Sequence, residues 1–435
     1  MVGQGQQMNN QAALDRVSFL LANVKDGVGP FLAVYLLASQ HWEASKIGIV
    51  MMIAGLATVM SRTPSGALVD CTHWKRGLVV AASAVVAVGA LVTSLFPSFM
   101  PVTAAQTAIG MADAIFPPAI AAISLGIVGP KVFARRVGRN EAFTHAGTAA
   151  TAVAAGIAGW LIAPGAVLWL VAALAVASIW ATLQIDPGSI DHAVARGSGG
   201  EHDAPPATLR SLLERRPLLM FTAAISLFHF ANAAMLPLLG EKLALGNRGT
   251  ETLFMAGCIT TAQIVMVPVA LLVGHKADVW GRKPIFLVGF AVLPLRGVLY
   301  TLIQNPYALV SIQVLDGVGA GIFGALFFIV VADLSKGSGR YNLAQGGASA
   351  AWGLGAALSN FIAGFIVDTA GYSAAFLFLA TIALIALVLF WIAVPETSEE
   401  SPSIETDSGA STRLKIQVPD AVRRRAAAER HHGLA

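Results

Sequence analysis

Gly66-Ala-Leu-Val-Asp70, followed by Lys75-Arg76, has a second copy in Gly274-His-Lys-Ala-Asp278, followed by Gly281-Arg282-Lys283-Pro284. The copies stand about 208 residues apart, and each falls where one long apolar run ends and another begins. Other landmarks recur at nearly that lag: Asn23 with Asn232, Gln106 with Gln313, Gly110 with Gly317. A repeat carried on membrane-length segments points to a transporter built of two similar halves.

Composition agrees. Hydrophobic residues make up 56% and charged residues 12% of the 435, against about 45–50% and about 25% in soluble chains. A helix of about 20 apolar residues crosses lipid with its backbone hydrogen bonds satisfied internally. Twelve such spans fit: 17–38, 47–68, 77–96, 102–128, 143–163, 166–185, 218–240, 251–273, 284–303, 307–332, 343–367 and 372–394. The expected fold is an all-α membrane protein of twelve transmembrane helices in two pseudo-symmetric six-helix bundles, residues 1–185 and 217–394. Between them lies a cytoplasmic linker, 186–216, whose Pro187-Gly188, Gly197-Ser-Gly-Gly200 and Pro205-Pro206 read as turn and coil. Leu209, Leu212 and Leu213 within Thr208–Arg216 share one side of a short helix, expected to lie on the membrane surface. The tail, 395–435, runs from acidic to basic and reads as a disordered cytoplasmic segment.

Lys and Arg crowd the turns after spans 2, 4, 6, 8 and 10 and the tail, leaving only Lys46, Lys242 and Arg248 in the opposite turns. The positive-inside rule makes the first set cytoplasmic, so both termini are expected inside a multi-pass chain of the cell (inner) membrane. The net charge of +4 then reports topology, and no nucleic-acid partner is implied. The stretch from Met1 to Gln11 is polar and uncharged, unlike a signal peptide, so the first span is expected to stay in the product. Cys71 falls in a turn and Cys258 inside span 8, so no disulfide is expected. No metal-ligand spacing or cofactor motif occurs.

Gly-x-x-x-Asp followed by basic residues, between spans 2 and 3 and again between 8 and 9, resembles the signature loop of the major facilitator superfamily. The second copy matches closely; in the first, Cys71-Thr72-His73-Trp74 replaces the usual basic residue and glycine, with one extra residue before Lys75. Twelve spans, two halves and a central linker resemble that family along the whole membrane part, in general character its drug and metabolite efflux branch. Gly66 and Gly274 suit close helix approach at the cytoplasmic rim. Asp70 and Asp278, with Arg282 and Lys283, suit a gate in which a carboxylate faces a helix N-terminus of the other half. The resemblance implies that those partner helices are spans 11 and 5, and that spans 1, 4, 7 and 10 line a central cavity.

Ionisable side chains inside lipid are expensive, so each one is a functional candidate. Lys25, Asp26, Arg62, Asp113, Arg296 and Asp316 lie well within spans. Asn23, Asp26, Gly27 and Pro30 share one face of span 1; His229 and Asn232 share one of span 7. Gln106, Gly110, Asp113 and Pro117 form the stripe of span 4, and Gln313, Asp316, Gly317, Ala320 and Gly324 that of span 10. Asp26 is the first candidate for proton coupling, with Asp113, Asp316 and His229 behind it; a static ion pair of Asp26 with Arg296 or Arg62 is the competing assignment. His229 could equally be a hydrogen-bonding link between helices. Asn23, Lys25, Arg62, Gln106, Asn232, Arg296 and Gln313 are the substrate-cavity candidates. Glu141 and His145, near the expected start of span 5, suit gating. Spans 5 and 11 are rich in small residues that let helices pack closely and slide.

These features point to a monomeric secondary active transporter of a small organic solute, working by alternating access, with proton-coupled efflux expected and proton-coupled uptake of an organic anion or other metabolite as the alternative. An enzyme is not expected: the chain has no His-Glu-x-x-His pair and no Gly-x-Ser-x-Gly elbow.

Overall fold

The computed structural model describes residues 2–25, 28–196, 215–247, 249–336 and 341–397; every regular element among them is helical. Nine of the helices are long and apolar enough to cross a membrane, and the longest, Leu343–Ala393, holds two spans. It divides at Gly371, whose φ of 84° is open to glycine alone without strain. Span 1 and span 5 complete the twelve. Span 1 is described as Val2–Lys25 and Val28–Ala38 and span 5 as Pro130–Leu161; the stretch of span 5 from 144 to 161 has no Asp, Glu, Lys or Arg, and its Gly, Thr and His keep it outside the nine.

Eight spans are the single helices that lipid demands. Span 2 is Ala44–Cys71, span 3 Lys75–Leu95, span 6 Ala166–Leu183, span 8 Glu251–Trp280 and span 9 Arg282–Leu302. Spans 5, 11 and 12 are also unbroken. Spans 4, 7 and 10 each come in two pieces, and span 1 is described on either side of residues 26–27. Span 4 is Phe99–Asp113 plus Phe116–Val128, span 7 Arg216–Ala233 plus Met235–Gly246, and span 10 Pro306–Ser311 plus Gln313–Ser335. The cause is plain in span 4. Pro117 and Pro118 have no N–H to give to the carbonyls four residues back, those of Asp113 and Ala114, so the helix ends there and restarts.

The repeat seen in sequence reappears in the packing. A methyl placed on Gly110 would meet Ala54 O at 2.4 Å, and one on Gly317 would meet Ala262 O at 2.5 Å, so spans 2 and 4 cross as spans 8 and 10 do. Gly147 presses on Phe19 O and Gly355 on Ser226 O in the same way, joining span 5 to 1 and span 11 to 7. Each half also has a buried glutamine brace thirteen residues long: Gln106 donates to Thr93 Oγ1 at 3.1 Å and Gln313 to Tyr300 Oη at 2.6 Å.

Two expectations are corrected here. Span 5 starts at Pro130 rather than residue 143, so His145 sits halfway along its helix instead of near its start. The basic run that sequence reads as a loop is helix, held by Asp15. This carboxylate accepts from Arg136 Nη2 at 2.6 Å and from Arg139 Nη2 at 2.7 Å, and Asp15 and Arg136 are both buried. Span 1 accordingly begins far upstream of Val17. In the linker, short 3₁₀ turns occupy Pro187–Ser189 and Val194–Arg196; the surface helix at Thr208–Arg216 and the tail beyond Thr397 lie outside the described residues, apart from Arg215 and Arg216, which open span 7.

Candidate functional site

A cavity of about 420 Å³ lies between the halves, walled by spans 1, 2, 4, 7 and 11. Its polar lining is Thr58 and Arg62 from span 2, Gln106 and Asp113 from span 4, and Asn360 from span 11. Asp113 is there because the proline break ends its helix at that residue. A carboxylate at a helix C-terminus faces unpaired carbonyls, an unfavourable placement that calls for a compensating cation or solvent. Arg62, on the same cavity wall, also reaches across to Ser349 O of span 11 at 3.4 Å.

A smaller cavity of about 160 Å³ opens inside the second half, among spans 7, 9, 10 and 11. Arg296 organises it. The side chain is buried, and Nη1 pairs with Asp316 while Nη2 donates to Asn232 Oδ1. This explains why an otherwise apolar span carries an arginine: its charge points inward to span 10 instead of outward to lipid. His229 stands beside this group with its ring against Trp352 (centroids 4.0 Å) and Phe323 (4.5 Å). Trp352 stacks in turn on Phe323 and Phe327.

Among the described residues, the tightest backbone crossings between the halves lie toward one end. On the face opposite the Asp70 and Asp278 turns, Asp368 of span 11 accepts hydrogen bonds from Ala44 N (3.1 Å) and Ser45 N (2.8 Å), the first residues of span 2. Beside it a methyl on Gly364 would lie 2.5 Å from Ala44 O. The related crossing of spans 5 and 8 is as close, with Gly156 against Ala256 and Thr252 Oγ1 donating to Gly156 O. Midway, His145 Nδ1 meets Gln263 Oε1 at 3.1 Å. On the turn face the four related glycines, Gly66, Gly274, Gly138 and Gly346, have nothing within 4 Å of where a Cβ would stand. Among the described residues, the close crossings between the halves thus fall on the face opposite the turns and none falls at these four glycines.

Helices paired as two bundles around a polar chamber define a multi-pass membrane carrier. The chain belongs to the Major Facilitator Superfamily, whose sequence model matches residues 17–293 and 252–427. It is 50% identical over 397 residues, 91% of this chain and 95% of the other, to an "Uncharacterized MFS-type transporter" of Mycobacterium tuberculosis. A multidrug transporter protein of Bacillus subtilis, MdtP, is 27% identical over 180 residues, 40% of this chain and 32% of that one. The fold also matches the crystal structure of the nucleoside transporter NupG, with a TM-score of 0.74 at 15% identity over 88% of this chain and 98% of that one. The family and these relatives are transporters, and the chain is not an enzyme.

Of the residues singled out from sequence, Arg62, Gln106 and Asp113 line the larger cavity and His229, Asn232, Arg296 and Asp316 the smaller. Gln313 belongs to neither; it is fully buried between spans 9 and 10 on Tyr300. Arg296 pairs with Asp316. Asp26 and the side chains of Asn23, Lys25 and Asp278 lie outside the described residues. Asp70 is exposed, and Gly66 and Gly274 have nothing within 4 Å of where a Cβ would stand. Arg282 pairs with Asp333 at the end of span 10, and Glu396 caps the start of span 9 by accepting from Arg282 N and Lys283 N at 3.0 and 3.1 Å. In the first copy, Lys75 replaces that arrangement: it is buried and donates to Val69 O (2.6 Å) and Thr72 O (2.8 Å), closing the end of span 2. Sequence reasoning missed Asp368, Asp15 and Glu396. Each sits within a few residues of a span end, where a charge reads as a boundary marker.

Proposed function

We propose that this transporter is a monomer that exports a small organic solute through the inner membrane in exchange for protons, with the turn face and both termini cytoplasmic. The observation that carries the alternating-access part is the contrast between ends: backbone-to-backbone crossings at Gly156 and Gly364 against open space at Gly66, Gly138, Gly274 and Gly346. A carrier stopped with one gate shut and the other parted would look like this. The excess of Lys and Arg in the turns on that face supports its cytoplasmic placement. The cavity's few charges support a small organic cargo, and similarity to a multidrug transporter supports export. Asp26, Asp113 and Asp316 are the proposed proton carriers.

One observation favours a second reading, uptake of an organic anion: Arg62 faces the larger cavity and could hold a carboxylate. Counterflow in vesicles of known orientation separates the two. Export by exchange requires that acid outside drive solute out, whereas proton-linked uptake requires the same gradient to drive solute in. No response to either gradient would remove protons from both readings.

A further inference from the structure

The smaller cavity has a recognition chemistry of its own, distinct from that of the chamber between the halves. Its volume of about 160 Å³ has room for about five waters at about 30 Å³ each, enough for a ring but not for a whole drug-sized molecule. It adjoins the larger cavity, since Asn232 and Trp352 line the one and their sequence neighbours Ala233 and Gly353 the other.

Hydrogen-bond directions in it are set by the protein. His229 Nδ1 lies 3.0 Å from Ile225 O, and a carbonyl can only accept, so the proton is on Nδ1. In the neutral ring Nε2 is then an acceptor. Asn232 accepts from Arg296 through Oδ1, which makes Nδ2 its donor end. Arg296 keeps its Nε–H buried with no acceptor among the described residues. Asp316 gives Oδ1 to Arg296 and retains Oδ2. With Arg296 Nε closed off from the cavity, the site presents one donor, Asn232 Nδ2, and two acceptors next to the flat stack of Trp352 and Phe323, whose centroids are 4.9 Å apart at 20°.

Charge narrows the ligand further. Arg296 and Asp316 cancel, so a cation entering would meet the guanidinium and an anion the carboxylate, each in a setting where desolvation is costly. Aromatic faces bind any π-system without a charge requirement.

We propose that this cavity is a subsite for an uncharged, planar heteroaromatic ring bearing a carbonyl beside an N–H. The carbonyl is placed to accept from Asn232 Nδ2, the N–H to donate to His229 Nε2 or Asp316 Oδ2, and the ring to stack on Trp352. The proposal rests on the transporter reading and names the chemical class of part of its cargo.

The test is thermal stabilisation of the purified full-length protein in nanodiscs by small probes. Nicotinamide and uracil carry the proposed edge on an uncharged ring; nicotinate, whose carboxylate replaces the amide, and 1-methylnicotinamide are an anionic and a cationic analogue of the first. Nicotinamide or uracil should raise the melting temperature, and the charged pair should need at least ten-fold higher concentration for the same shift. Trp352→Ala should weaken the response about ten-fold or more, while Trp352→Phe, which keeps a flat ring, should restore most of it. His229→Phe keeps the packing and removes the acceptor, and should weaken both neutral probes. The proposal is overturned if neither neutral probe shifts the protein, if the charged forms act as well, or if folded Trp352→Ala responds like the parent. Solute flux in vesicles alongside negative binding would reject the subsite alone; absence of any flux with positive binding would reject the transporter mechanism and leave the subsite standing.

Discussion

Replacing Asp368 should unlock the closed end of the carrier. Its two carboxylate oxygens take the N–H groups of Ala44 and Ser45 at 3.1 and 2.8 Å, joining the last turn of span 11 to the first of span 2. Those N–H groups have no partner within their own helix, and their dipoles favour a negative charge. Loss of a helix cap costs about 0.5–2 kcal/mol. Asp368 is exposed, so solvent screens its charge and the middle of that range, about 1 kcal/mol, is the fair expectation. Because the bond joins the two halves and must break when this face opens, the whole amount falls on the closed state. Asp368→Ala should therefore raise the population open on that face about five-fold, a factor of ten being about 1.4 kcal/mol. Asp368→Asn keeps one acceptor and should do less than half of that in free energy. The assay is labelling of one cysteine at Ala356, which lines the cavity, by a membrane-impermeant maleimide added from the sealed side, with Cys71 and Cys258 replaced. A labelling rate for Asp368→Ala within two-fold of the parent would refute the idea that this cap holds the gate.

Three other outcomes can be checked, two from the same geometry and one from the sequence. Gly364→Ala pushes a methyl to 2.5 Å from Ala44 O, which is backbone and cannot swing away, so it should also raise labelling from the sealed side, at a cost of about 1–3 kcal/mol to the closed form. Arg296→Met leaves Asp316 without its ion-pair partner and should cost about 3–5 kcal/mol in stability, whereas Arg296→Met with Asp316→Leu should recover most of that; a double variant no more stable than the single would contradict the pairing. Asp26→Asn should abolish proton-driven flux in vesicles with folding intact, and transport at parental rate across pH would exclude its coupling role.

Much of the architecture was readable residue by residue. The recurrence of Gly110 at Gly317 and of Gln106 at Gln313 correctly announced two similar halves, and in the structure the members of each pair do related jobs. The candidate site was legible only in part. Asp316 and His229 do line a cavity, but Gln313, on the same stripe as Asp316, turns toward Tyr300 instead. Three residues along a helix amount to about 60° of rotation away from a shared face, and no local signal says which edge of a stripe meets water. Asp15 was hidden differently: its value lies in Arg136 and Arg139, more than a hundred residues away.

Hydropathy decides locally whether a segment crosses lipid, because each helix satisfies its own backbone. The twelve spans, their order, their repeat and the family could therefore be inferred from the amino-acid string alone. How far each helix is turned about its axis is not a local property. It is set by close crossings such as Ala44 on Gly364 and Thr252 on Gly156, which bring together atoms from different halves. Only the assembled structure could decide that Arg296 binds Asp316 and that Asp368 ties span 11 to the first residues of span 2.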